Sequence, residues 1–374
     1  MIKEAPKIVL GLGFGDEGKG RTVSYLCSQT EDPIVVRFNG GHQAGHTVVH
    51  EGKRHVFSSF GSGTLQGVPT FWSRFCTVCP MSYMEEYRTL LSLGVFPEMY
   101  MELGCPVTTP YDVLWNQYQN SIHGHGTVGV GFGATLEREE NGYHLLVRDL
   151  INHTVFDLKL EQVIGYYRRL LKDVPEHELP NPWSKYELET VEFRHACRQM
   201  ISTIVDVAIP INRNIIFEGA QGILLDMDHG FFPHVTRSST TSVNADSIIG
   251  HTAVDTYYVT RSYLTRHGNG PLPGETTLTL SGTVNETNQT NDYQGKFRKA
   301  PLSVDLFNYA LYCDSLSLLK KRSHLVVTCM DQFELDVRGF LSKTLYSELF
   351  RSIHTCYGPG LEDVREYGQL TVVK

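Results

Sequence analysis

No apolar run in this sequence approaches the roughly 18 residues that a membrane-spanning helix requires. The N-terminal stretch, MIKEAPKIVLG, likewise lacks an apolar segment long enough for a secretory signal. Both absences set the expectation of a cytoplasmic protein with no membrane partner. Basic residues are not in excess: 33 Lys and Arg stand against 41 Asp and Glu, a net charge of −8. Nucleic-acid binding depends on clustered cations, so that balance argues against nucleic acid as a partner; small anions in a local basic pocket remain compatible. Paired cysteines are scarce too. Of eight cysteines only Cys76 and Cys79 have C-x-x-C spacing, with no second pair and no nearby histidine to complete a zinc site. Free buried thiols in a reducing compartment are expected instead. Internal repeats and a convincing linker are also missing, which favours one large mixed α/β domain over residues 1–374.

Glycine is what the chain has, gathered in loops that follow apolar runs. Residues 11–22, GLGFGDEGKGRT, follow the strand signal Ile8-Val9-Leu10 and precede a helical start at Val23. Strand, glycine loop and helix aim free N–H groups and a helix N-terminus at a phosphate. Gly13, Gly18 and Lys19 have P-loop spacing, but Gly20 stands where a Ser or Thr hydroxyl would meet Mg²⁺. Asp16, inside the loop, offers a carboxylate that holds a metal or takes a proton.

A second strand signal at 34–38 empties into NGGHQAGHT, 39–47. Ligands gather outside the carboxyl ends of strands in open α/β sheets, so the two loops are expected to share a crevice. A third glycine cluster, 124–133, reads equally as a surface loop or as backbone approaching a ligand. Helical spacing is expected at 82–93, 110–119, 156–171, 186–207, 303–319 and 342–353. Strand signals recur at 214–218, 252–265 and 324–328, with a turn at 266–271. The strand at 214–218 leads into a tract carrying Asp226, His229, Arg237 and four hydroxyls over 238–241, a second candidate anion site. Residues 276–292, rich in Thr, Asn, Gly and Ser, read as a mobile loop.

Taken in order, GFGDEGKG at 13–20, NGGHQAGHT at 39–47, GTVGVG at 126–131, FEGAQGILLDMDHGFFPHVTRSSTT at 217–241, TRHGNGPLP at 265–273 and the strand ending at Asp331 resemble the adenylosuccinate synthetase family over nearly the whole chain. The resemblance implies a large, mostly parallel mixed sheet surrounded by helices, in a homodimer. It also implies GTP-driven, Mg²⁺-dependent joining of L-aspartate to C6 of IMP. By resemblance Asp16 removes the N1 proton and contacts Mg²⁺ together with the Gly45 carbonyl. His46 stabilises the transferring phosphoryl group, Lys19 holds phosphate and Gln221 bonds the purine. Gly15, Glu17, Gly18, Gly20, Asp331 and Gly358 are the donor-nucleotide set. Gln43, Thr127, Val128, Arg138 and Thr236 are the acceptor set, and Lys296 and Arg298 meet the aspartate carboxylates.

The departures are specific. The chain resembles the shortened forms seen in archaea and some phages. Gln43 replaces a common Asn, Val128 replaces the second of two phosphate-binding Thr residues, and Cys329 replaces a Lys near the base. The aspartate loop is reduced to Asp292-Tyr293-Gln294-Gly295-Lys296-Phe297-Arg298, and Arg138 and Arg148 are the candidates for an inter-subunit arginine. One competing reading is a phage-type synthetase taking dGMP, with ATP or dATP as donor. The others are a non-catalytic purine sensor and an unrelated P-loop NTPase, against which Gly20 counts.

Overall fold

Valine and isoleucine at 8–9, 34–36 and 215–216 are buried on both faces, as strands of a sheet covered by helices on each side must be. The structure, a computed structural model, describes residues 4–124, 127–206, 212–250, 252–281, 295–314 and 322–367. Its strands are β1 (Lys7–Gly11), β2 (Pro33–Arg37), β3 (His46–His50), β4 (Lys53–Phe57), β5 (Thr70–Trp72), β6 (Met99–Met101) and β7 (Ile204–Val205). They continue with β8 (Asn214–Gly222), β9 (Asp255–Arg261), β10 (Tyr263–His267), β11 (Phe297–Pro301), β12 (Arg322–Thr328), β13 (Phe350–Cys356) and β14 (Val364–Glu366). Ten of these form one sheet in the order β14-β13-β12-β9-β1-β8-β2-β5-β6-β7. Every pairing in it is parallel except β13 with β14. The hairpins β3–β4 and β10–β11 stand outside the sheet. The expected large, mixed, mostly parallel sheet is present.

The helices are α1 (Lys19–Ser28), α2 (Pro80–Ser92), α3 (Pro110–His123), α4 (Phe132–Glu140), α5 (His153–Leu170), α6 (Trp183–Thr203), α7 (Val243–Ile249), α8 (Val304–Cys313) and α9 (Val337–Leu341). Pro110 at the first helical position and a Thr109–Asp112 capping box start α3, both standard N-terminal devices. One core cluster gathers Tyr83, Tyr111, Tyr167 and Phe193 from α2, α3, α5 and α6. A second joins the central strands to Phe307 and Phe340 of α8 and α9. Among the described residues no helix is long and apolar enough to cross a membrane.

Three local expectations change. The helix expected at 342–353 does not form: a single 3₁₀ turn occupies Ser347–Leu349 and β13 begins at Phe350, where the segment FRSIHTC pairs in parallel with β12 and buries Phe350, Ile353, Thr355 and Cys356. Arg266 and His267, expected in a turn, are the last two residues of β10. The glycine cluster ends inside a helix, since Gly131 is the left-handed N-cap of α4. Residues 125–126, most of the 276–292 loop and the end of the 303–319 helix lie outside the described residues.

Candidate active site

The loops leaving β1, β2, β8, β9, β12 and β13 converge at the carboxyl ends of the strands, around a cavity of about 890 Å³. That is the position and size expected of a ligand site in an open α/β sheet. The loops 13–20 and 39–47 do share this crevice.

Loop 12–18 turns sharply because Gly15, Asp16 and Gly18 all have positive φ, at 92°, 60° and 95°. For Asp16 that backbone is uncommon, and Asp tolerates it better than most residues. The Asp16 carbonyl is held by Arg261 Nε at 2.5 Å from the end of β9. Asp16 therefore stands at the cavity wall on a fixed backbone. Glu17 also lines the cavity, with its carboxylate turned into the loop. Its carboxylate is 3% exposed, accepts the N–H groups of Gly13 and Gly15 at 3.0 and 2.8 Å, and pairs with Lys19 Nζ at 2.5 Å. Glu17 braces the loop from within, and the Lys19 ammonium is engaged by it.

Gly20 explains the missing P-loop hydroxyl. A Cβ there would sit 2.6 Å from the Cβ of His46 and 2.8 Å from Ser62 Oγ, so the space a Ser or Thr needs belongs to His46. His46 opens β3, with Nδ1 2.8 Å from Oε1 of Glu218 in β8. Glu218 is fully buried and also receives the Ser62 N–H at 3.0 Å and the Ser62 hydroxyl. Burial opposes ionisation of Glu218, but His46, Arg37 and Ser62 outweigh it and hold the carboxyl below its ordinary range. Burial also pushes His46 down, against the pull of Glu218. The pair is thus a carboxylate beside a neutral imidazole, with Nδ1 turned to Glu218. Glu218 was visible in the sequence only as a strand residue; nothing local marks it as the partner of His46.

Gln221 reaches the cavity through a bulge. Val9 pairs with Glu218 and Gly11 with Gly222, so residues 219–221 oppose the single Leu10. Gln221 takes φ 55° there, and its Oε1 has no hydrogen-bond partner among the described residues. Gln43 lines the same wall, and its two buried amide atoms have no hydrogen-bond partner among the described residues. Buried polar atoms of this kind are costly unless a ligand or water completes them. His42, whose imidazole burial pushes down to about 4, contacts the Val130 carbonyl at 3.0 Å and ties this loop to the third glycine cluster. Thr127, Val128, Thr236, Asp331 and Gly358 also line the cavity, as do Gly15, Gly18 and Gly45.

Three expected site residues are placed elsewhere. Arg138 has a fully buried side chain, clamped by Asp112 at 2.8 Å, Glu139 at 2.7 Å and the carbonyls of Val107 and Tyr143. It secures α4 to α3 and is not among the residues lining this cavity. Arg298 donates to Glu275 and to the carbonyls of Gly268 and Gly270, so its guanidinium is engaged in closing a turn. Lys296, beside it, is also absent from the cavity wall, which takes its cations from Lys19, Arg21, Arg237, Arg261 and Arg266. Within the tract at 226–241 Asp226 accepts from the N–H groups of Asp228 and Thr240, while residues 232–237 line the cavity and Arg237 pairs with Glu140. Among the described residues no group of three or more His, Cys, Asp or Glu could hold a metal unaided.

The adenylosuccinate synthetase family model matches residues 8–331. The adenylosuccinate synthetase of Marinomonas sp. (strain MWYL1) is 35% identical over 281 residues, covering 72% of this chain and 64% of its own length. That of Psychromonas ingrahamii is 34% identical over 290 residues, covering 72% and 63%. The chain thus spans a little under two thirds of the length of these curated relatives. Among solved structures, fully ligated adenylosuccinate synthetase from Plasmodium falciparum superposes with a TM-score of 0.75 at 18% identity, over 98% of this chain and 100% of that one. Cyanophage S-2L succinoaminodeoxyadenylate synthetase, bound to dGMP and to dATP as an energy donor, gives 0.62 at 16% identity, over 98% and 96%. Both structural likenesses concern the fold, and the family model over most of the chain decides membership. This chain belongs to the adenylosuccinate synthetase family.

Proposed function

We propose that the chain is a Mg²⁺-dependent ligase that joins L-aspartate to C6 of IMP, giving adenylosuccinate, with GTP as phosphoryl donor. The observation that carries this reading is the meeting of Asp16 and His46 on one cavity at the strand ends, with buried Glu218 behind His46. A purine 6-oxo group leaves poorly, so it must be phosphorylated before an amine displaces it. Asp16 takes the N1 proton, and O6 attacks the γ-phosphorus with GDP leaving. His46 meets the negative charge that develops on the phosphoryl oxygens. With that charge on one side and Glu218 on the other, the ring is suited to carry a second proton. The aspartate amine then attacks C6, and inorganic phosphate leaves with the former O6.

Asp16 and the Gly45 carbonyl are hard oxygen donors on one wall, which suits Mg²⁺, an ion that takes one or two protein oxygens and completes its shell with phosphates and water. When bound, that ion neutralises charge on the transferring phosphates. Lys19 and the N–H groups around Gly18 and Gly20 hold the donor phosphates, with Glu17 bracing the loop through Gly13 and Gly15. Gln221, Gln43, Thr127, Val128 and Thr236 surround the acceptor nucleotide, and Asp331 and Gly358 the donor base. The L-aspartate half of the reaction comes from family membership.

One assay matrix tests this: IMP, dIMP, GMP and dGMP against GTP and ATP, each with L-aspartate and Mg²⁺, following product by mass. Adenylosuccinate from IMP and GTP is the expected product. A higher kcat/KM with dGMP would replace the proposal with the 2-amino product. Tight nucleotide binding without ligation would make the chain a sensor.

Glu218→Gln removes the charge that holds His46 while keeping its size. Turnover should fall on the order of 10–100-fold, the usual weight of an outer partner that orients a reacting group, with acceptor KM little changed. Steady-state kinetics read both; a KM effect alone would reassign His46 to substrate binding. Asp331→Asn should erode the preference for GTP over ATP. A carboxylate accepts from N1–H and N2–H₂ of guanine, and losing one such charged bond costs about 1–3 kcal/mol. The ratio of kcat/KM for the two donors measures it, and an unchanged ratio removes Asp331 from base selection.

A further inference from the structure

Arg21 is the third residue of α1, in the first turn of the helix that follows the phosphate loop. A cation in that turn runs against the helix dipole, so its place needs another reason. Lys19, two residues earlier, is paired with Glu17. Arg21 has a different partner. Its side chain is 8% exposed, and Nε and Nη2 both donate to the carbonyl of Gly360, at 3.1 and 3.0 Å. Gly360 closes the loop that leaves β13, and Gly358 and Pro359 of that loop line the cavity together with Arg21. Asp363 anchors the same loop from below: its carbonyl accepts from the Tyr357 N–H at 3.2 Å and its carboxylate from the Gly360 N–H at 2.8 Å. The Met330 N–H, donating to the Cys356 carbonyl at 3.0 Å, joins the end of β12 to the end of β13. On the β12 side the Thr328 hydroxyl donates to the Glu17 carbonyl at 2.7 Å. The phosphate loop and α1 are thus fastened to both strand ends, through Thr328 to β12 and through Arg21 to the loop after β13.

We propose that Arg21 is a positioning residue for the donor base: by fixing the Gly360 carbonyl it sets where Gly358 and Pro359 stand relative to the phosphate loop. The inference rests on the donor site proposed above, where Asp331 and Gly358 surround the base and Lys19 with the loop N–H groups holds the phosphates. A nucleotide gripped at both ends binds well only if the two grips are correctly spaced. The guanidinium that reaches from α1 to Gly360 fixes that spacing before the ligand arrives. Arginine suits the task because its planar fork presents two N–H groups in one rigid unit, whereas a lysine ammonium is a point charge on a flexible stem. A loop held in advance does not have to be ordered by the ligand, so more of the contact free energy appears as affinity.

Two variants separate the fork from the charge. Arg21→Lys keeps the cation and loses the two-pronged contact, and Arg21→Met removes both. Amide hydrogen exchange of the free protein, read by mass spectrometry, should quicken over residues 357–360 in both variants and stay unchanged over 12–18. Exchange at the unmutated rate over 357–360 overturns the clamp whether or not the protein binds nucleotide. Calorimetric titration with GDP, ADP and inorganic tripolyphosphate, each with Mg²⁺, reads the consequence for the site. Affinity for the preferred nucleoside diphosphate should fall about 10-fold in Arg21→Lys, with tripolyphosphate affinity changed less than about threefold. Arg21→Met should lose at least as much for the nucleotide; where that variant fails to fold, Arg21→Lys carries both comparisons. Full nucleotide affinity in Arg21→Lys overturns the inference, because the charge alone would then suffice. Equal losses for nucleotide and tripolyphosphate in Arg21→Lys overturn it too, and would make Arg21 a direct phosphate ligand. If the unmutated protein binds none of the three probes, the proposed donor site fails, and hydrogen exchange decides the clamp alone.

Discussion

Asp16→Asn should bind nucleotide nearly as the unmutated protein does and form product on the order of 10²–10⁴-fold more slowly. Asn preserves the shape and the hydrogen-bonding reach of the side chain but cannot accept the N1 proton, and general-base catalysis contributes about that factor. The backbone supports a clean comparison. The φ of 60° at residue 16 is one that Asn adopts at least as readily as Asp, and the Arg261 contact is to the carbonyl rather than to the side chain. The loop should therefore keep its shape. Calorimetric titration with GTP and IMP, alongside product formation followed by mass, separates binding from chemistry. Turnover near the unmutated level would remove the general-base role from Asp16.

Arg138→Leu should lower stability by about 3–5 kcal/mol, the usual cost of breaking a buried ion pair by removing one partner. The loss arises at Asp112. That carboxylate is fully buried, accepts from Arg138 Nε at 2.8 Å and from the Tyr167 hydroxyl at 2.6 Å, and also closes the capping box of α3. Without the guanidinium it loses the hydrogen bonds from Arg138 and its counter-charge, and keeps those from Tyr167 and Thr109. The Arg138→Leu, Asp112→Asn double variant should recover part of the loss, since the stranded charge is then gone. Denaturant unfolding of the three variants measures this. The folded Arg138→Leu protein should keep its affinity for the acceptor nucleotide, because Arg138 is fully buried against α3 and away from the cavity. A selective rise in acceptor KM with unchanged stability would return Arg138 to the binding set.

Exposed pairs near the site carry much less. Arg237 and Glu140 meet at 2.5 Å across the cavity mouth with side chains 40% and 57% exposed, so solvent screens them and their separate removal should be nearly neutral for stability. The same chemistry, Arg with a carboxylate, thus has opposite weight at two places in one chain. Burial decides between them.

The sequence by itself determined the parts of this protein that depend on near neighbours. An apolar run followed by glycines and a helical start forms β1, the 12–18 loop and α1, because both the strand period and the left-handed turn are written within a few residues. The same is true of β2 and the 39–47 loop, and of the proline-started helices α2 and α3. Placing those loops in one crevice followed from the rule that strand ends collect ligands, and the cavity lies there. The helical spacing at 342–353 gives way to β13 from Phe350 onwards, because pairing with the neighbouring strand β12 outweighs the local period. What the tertiary structure alone decided is which distant side chains meet. Glu218 faces His46 because β8 lies between β1 and β2 in the sheet, an order that neither strand's own residues specify. His267 approaches Asp16 because the β10–β11 hairpin folds back over the first loop. Arg138 and Arg298 carry the charge a ligand site needs, yet burial and nearby carboxylates claim both for the fold. Charge is a property of the residue, whereas its partner is set by strand order and desolvation, and those exist only once the chain has folded.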